Sequence, residues 1–163
     1  MFTPRDFLAS LAHETAILRH LHSKADPARA EWSPGEGHRN TIDLLRYISW
    51  CASVPVEALL AGDWSCATAA VERASTMTFD EFPARLDEQM EKIETLLAGV
   101  SDDDYLTREG KLPWGEPVKL GPGLVNTSLK FLTAYRLQFF QHVKSTSAPE
   151  IGTANAWMGI DRP

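Results

Sequence analysis

The stretch Asn40–Val54, NTIDLLRYISWCASV, decides the fold. Asn40 or Thr41 supplies an N-cap oxygen for the free amides of a first helical turn. Ile42, Leu44, Leu45, Ile48, Cys51 and Ala52 then cover more than half of the helical circumference. A helix with so little polar surface is buried on several sides, so other helices must surround it. Pro55 bends or restarts the chain, and Val56–Ala61 adds a turn or two before Gly62.

Reading outward, residues 4–24 form a first long helix, with Pro4 in its first turn and Phe7, Leu8, Leu11, Leu18 and Leu21 at helical spacing. The segment 25–40 is a Pro- and Gly-rich connection containing Trp32-Ser33-Pro34. Residues 62–78 hold a loop around Trp64 and a short helix over Ala67–Ala74. Thr78 and Glu81 fit a capping box, and a third long helix starts near Phe82 with Pro83 in its first turn. Leu86, Met90, Ile93 and Leu97 form its stripe and Gly99 stops it. Ser101–Gly123 reads as non-helical. Within it, Leu112 and Trp114 alternate against Val118 and Leu120 about Gly115-Glu116, as in a two-stranded hairpin. Pro122 opens a fourth helix to about Lys144, with Val125, Leu132, Tyr135, Phe139 and Val143 as its core stripe. Pro149–Gly159, with Trp157, is a short last segment. The expected fold is therefore all-α: one domain over 1–163, a four-helix bundle with a short β-hairpin before the last long helix and a short C-terminal helix.

Composition sets the outer bounds. The 163 residues are 44% hydrophobic and 23% charged, with 16 Lys+Arg against 22 Asp+Glu, a net charge of −6. Such a length buries a core without disulfides or structural metal. The acidic balance argues against nucleic acid as a partner. Two cysteines without a CxxC give no zinc-ribbon or redox motif. No signal-peptide pattern and no run of 18 apolar residues is present, so a cytoplasmic protein with no membrane partner is expected.

Chemistry-bearing residues are few. Five histidines (His13, His20, His22, His38, His142) include no HxxxH pair. His13 and His20 lie about 10.5 Å apart along one helix and cannot share an ion. At about 100° per residue, His22 falls beside Leu11 and Leu18, and His142 beside Tyr135, so both face the bundle. Glu14 lies in the row of Phe7, Leu11, Leu18 and Leu21. A carboxylate there needs a partner, which Arg46, Arg136 or the hydroxyls of Tyr47 and Tyr135 would provide. No GxSxG, GxGxxG or GxxxxGK[ST] occurs. Asp102-Asp103-Asp104 reads as a solvated turn, and the five tryptophans as plugs for the bundle ends.

The chain resembles the DinB/YfiT-like superfamily of four-helix bundles. Trp32-Ser33-Pro34 precedes the second helix, Arg39-Asn40-Thr41 with Leu44-Leu45-Arg46-Tyr47 is similar to the family's second-helix opening, and Tyr135-Arg136-Leu137-Gln138 is similar to its fourth-helix segment. The tail Gly152–Trp157 also resembles a DinB-type ending. The resemblance implies a homodimer and a metal-dependent enzyme holding nickel, zinc or iron on three histidines. Those positions here are Tyr47, Phe131 and Tyr135, so no metal and no other cofactor is expected. The implied site is a degenerate one, a small apolar pocket or a plug, with Glu14, His22, Arg136 and His142 as its possible polar residues. Two readings follow: a binding protein for a small apolar ligand or a partner, or a DinB-type metal-dependent hydrolase or thiol transferase using Glu14, His22 and His142 as a non-standard ligand set.

Overall fold

The computed structural model describes residues 2–162, and it is mostly helical with one small antiparallel hairpin. Helix α1 (Pro4–Lys24) starts on a capping box between Thr3 and Asp6. It carries Phe7, Leu11, Ile17, Leu18 and Leu21 into the core. Helix α2 (Thr41–Ile48) is capped by Asn40, whose side-chain oxygen accepts from Asp43 N at 2.8 Å. Helices α3 (Ser53–Ala61), α4 (Cys66–Ser75) and α5 (Phe82–Leu97) follow. The stripe of α5 buries Leu86, Ile93 and Leu97, and Met90 packs at its edge.

The expected helix through Val54 ends at Ile48 instead. Pro55 has no N–H for the Cys51 carbonyl, and its ring crowds the residue four before it, so the break falls at Ser49–Ala52 rather than at the proline itself. The freed groups are stitched from elsewhere. The buried Gln89 side-chain oxygen accepts from Ala52 N at 3.0 Å and Ser53 N at 3.2 Å, while its amide donates to the Ile48 carbonyl at 3.1 Å. Ser128 Oγ donates to the Ala52 carbonyl at 2.8 Å. The apolar stretch 41–61 thus packs inside the protein as two short helices.

Ser101–Gly123 is not wholly irregular. Helix α6 (Asp102–Thr107) starts on a Ser101–Asp104 capping box. The three aspartates read as a solvated turn are its first turn, where carboxylates meet the positive helix end. The hairpin exists, but its strands β1 (Glu109–Lys111) and β2 (Pro117–Lys119) pair Gly110 with Val118, leaving Leu112 and Trp114 in the loop. Trp114 is 63% exposed and Trp157 55%, so neither plugs a bundle end.

The last long helical run starts at Leu120, before Pro122. It comprises α7 (Leu120–Leu124), a π turn (Val125–Leu129) and α8 (Lys130–Thr146). The wider turn shifts the buried face, which is why Leu124, Thr127 and Ser128 are buried while Val125 is only partly so. Gly121 permits this entry, because a Cβ there would stand 2.5 Å from the Tyr105 ring. Helix α8 lies against α1 and α2, α1 also meets α5, and α3 packs on α5. Helix α9 (Thr153–Met158) closes over α1.

Candidate functional site

The Asn40 cap fixes where α2 begins and therefore where Arg39, the residue before it, enters. The Arg39 guanidinium carbon lies 4.5 Å from the ring centre of Tyr47 and 5.5 Å from that of Tyr135. Tyr47 is in the last turn of α2 and Tyr135 in α8, and their rings meet at 4.5 Å and 56°. Trp50 adds an edge-on contact to Tyr47 at 4.6 Å. Two of the three residues singled out from the sequence are therefore brought together across the α2–α8 contact. Phe131, one turn before Tyr135, packs on the hydrophobic core as both tyrosines do, but makes no ring contact to either among the described residues.

The electrostatics of this cluster follow from its burial. Desolvation, and then the neighbouring Cys51 and Tyr135, push the Tyr47 phenol well above its usual range. Burial likewise pushes the Cys51 thiol up. Phenols bind divalent ions well only once deprotonated. Here the Tyr47 phenol is held protonated and the Arg39 guanidinium lies near both rings. This donor set does not fit the metal that the resemblance implies.

Glu14 and Arg136 form a separate buried unit. Arg136 is fully buried; its Nε donates to Glu14 Oε2, its Nη1 to the Ala156 carbonyl, and its guanidinium stacks on Trp157 with 4.8 Å to the ring centre. Of the partners open to Glu14 in the sequence, the structure selects Arg136 and leaves Arg46 on Asp43 at 2.9 Å. The unit ties α1, α8 and α9 together. His13 Nε2 reaches the Trp157 carbonyl at 3.0 Å, and Asn155 Nδ2 donates to His20 Nε2 at 3.0 Å, which reinforce the same seam.

The two histidines expected from the sequence to face a bundle interior are each engaged elsewhere. His22 Nε2 donates to the Phe79 carbonyl at 3.0 Å, and its ring stacks on Phe79 at 4.4 Å. His142 Nδ1 lies 3.1 Å from Thr41 Oγ1, and Trp32 meets its ring edge-on at 5.1 Å. Thr41 Oγ1 also lies 3.3 Å from the Trp32 carbonyl, and the buried His142 Nε2 has no hydrogen-bond partner. The ligand set Glu14, His22 and His142 does not assemble: among the described residues no three His, Cys, Asp or Glu side chains converge.

Burial is the main reason that both imidazoles sit below their ordinary value of 6.5, and the nearby His38 lowers His142 further. Each histidine takes up its proton more readily in the unfolded chain. The stability they contribute is complete above pH 6.5 and is lost as pH falls through the lower folded-state values. Urea midpoints measured at pH 7.5 and 5.5 should therefore show a drop on acidification, and His142→Gln should show a smaller one.

Sequence reasoning missed Arg39 as a member of the site and Gln89 as the stitch across the helix break. Its position one residue before the Asn40 N-cap was the available signal for Arg39. No protein-family model matches the chain, and no curated protein shows significant similarity to it.

Proposed function

We propose that this chain is a DinB/YfiT-like four-helix bundle in which an aromatic–guanidinium cluster replaces the metal centre, and that it acts there as a metal-free binding module for a small, largely apolar ligand. The four bundle elements are α1, α2 with α3, α5, and α7 with α8. In this reading the protein works as the homodimer that the resemblance implies. One observation carries the proposal: Arg39 lies over the touching rings of Tyr47 and Tyr135, two of the positions matched to metal ligands. A positive charge thus stays at the site, delivered by a side chain in place of an ion. The competing hydrolase or transferase reading lacks its ligand set, because Glu14 is taken by Arg136 and the two histidines are held by backbone and threonine oxygens.

The experiment is restoration. Replacing Tyr47, Phe131 and Tyr135 together by histidine puts two imidazoles one turn apart on α8 and a third across from them on α2. The triple variant should gain nickel or zinc binding, read by calorimetric titration, that the wild type lacks. A folded triple variant with no gain would refute the positional match.

A further inference from the structure

Resting on that metal-free reading, we infer that the Arg39–Tyr47–Tyr135 cluster binds a small aromatic carboxylate. Its carboxylate sits on the guanidinium edge of Arg39 and its ring against the neighbouring aromatic side chains.

The first ground is an open set of donors. Arg19, Arg46, Arg73, Arg85 and Arg136 each meet a carboxylate, while among the described residues Arg5, Arg29, Arg39 and Arg108 do not, and of these four Arg39 is the one that lies over aromatic rings. Among the described residues, no ion pair or hydrogen bond takes up the donors of Arg39, which is exposed. Among the described residues Glu36, the acid nearest in sequence, makes no ion pair with Arg39, and the next two are committed elsewhere. Asp43 pairs with Arg46 at 2.9 Å, and Glu31 accepts from Asn40 at 2.8 Å.

The second ground is geometry. A guanidinium is planar, so stacking on a ring uses its face and leaves its N–H edge for an oxyanion. Arg39 lies over the Tyr47 ring at 4.5 Å, with the inclined Tyr135 ring at 5.5 Å, and contact with these rings lowers the freedom lost when a ligand arrives. A flat two-oxygen carboxylate matches such a fork with two parallel hydrogen bonds. One guanidinium balances one negative charge, and the net −6 of the chain disfavours ligands of higher charge.

The third ground is what surrounds the fork. Tyr47, Trp50 and Tyr135 are each only partly buried, so ring surface borders the charge. A planar apolar body stacks there more favourably than a flexible aliphatic one. The phenol of Tyr47, kept protonated, adds no competing anion.

The test titrates 1-naphthoate and its neutral counterpart 1-naphthalenemethanol into the full chain after dialysis against chelator, with affinity read by calorimetry and contacts by NMR shifts. Naphthoate should bind about tenfold or more tighter than the alcohol, the span of one charge-assisted pair. Arg39→Gln should erase that preference, while Arg39→Lys should keep only part of it; Arg39 is exposed, so both variants keep the fold. Equal binding of the two probes, a preference unchanged in Arg39→Gln, or no binding of either would overturn the inference and leave the metal-free reading standing. Naphthoate binding that appears only after zinc or nickel is added would overturn both.

Discussion

Glu14→Ala should destabilise the protein by about 3–5 kcal/mol, because it leaves the Arg136 guanidinium charged and uncompensated in a fully buried position. The remaining acceptor, the Ala156 carbonyl, satisfies one of the guanidinium donors, and Nη2 already has no partner. Removing both charges should behave differently. The double variant Glu14→Leu with Arg136→Met replaces the pair with apolar side chains of similar bulk, and should recover most of the loss. Urea unfolding of Glu14→Leu, Arg136→Met and the double gives the coupling between the sites. If Glu14→Ala cost less than about 1 kcal/mol, the pair would not be a buried tie between α1 and α8. The double variant should still loosen α9, since the Ala156 carbonyl and the Trp157 ring both lose the guanidinium they contact.

Gln89→Leu is the second substitution with a large expected effect. It strips the acceptor from the amides of Ala52 and Ser53 and the donor from the Ile48 carbonyl, all at a buried helix break. Each buried group left unsatisfied costs roughly 1–3 kcal/mol, so a loss of at least about 3 kcal/mol is expected. Leucine is close in size, so the effect is one of hydrogen bonding rather than of a cavity. Amide exchange offers a local check: the amides of residues 52 and 53 should exchange faster in the variant. A neutral result would mean that the break at Ser49–Ala52 is sustained by Pro55 and packing alone.

These two residues also mark how far the sequence could be read. The helical stripes of α1, α5 and α8 were legible, because Leu11, Leu18, Leu86, Ile93 and Phe139 repeat at a period that only a helix buries on one side. The Thr78–Glu81 box was equally visible, since both members lie within one turn. The end of α2 was not. Pro55 acts on a carbonyl four residues earlier, and the groups that make the break tolerable arrive from Gln89 and Ser128, far along the chain. The π turn escaped for a related reason: a fixed angle per residue cannot register one wider turn, so Val125 was assigned to a face that Leu124 occupies. At the candidate site, the resemblance rather than periodicity singled out Tyr47 and Tyr135. Arg39 follows a loop, and loop conformation leaves no periodic trace. Of the polar residues, Glu14 announced its need for a partner, while the choice of Arg136 required the helices to be docked.

The measurement that bears most directly on the central claim is the metal content of the purified wild-type chain, determined by elemental analysis after expression in medium supplied with nickel, zinc and iron. A Tyr47 phenol held protonated beneath a guanidinium predicts far less than one equivalent of any of the three. A stoichiometric ion that Tyr135→Ala releases would contradict the account, because it would show that the cluster of Arg39, Tyr47 and Tyr135 coordinates a metal after all.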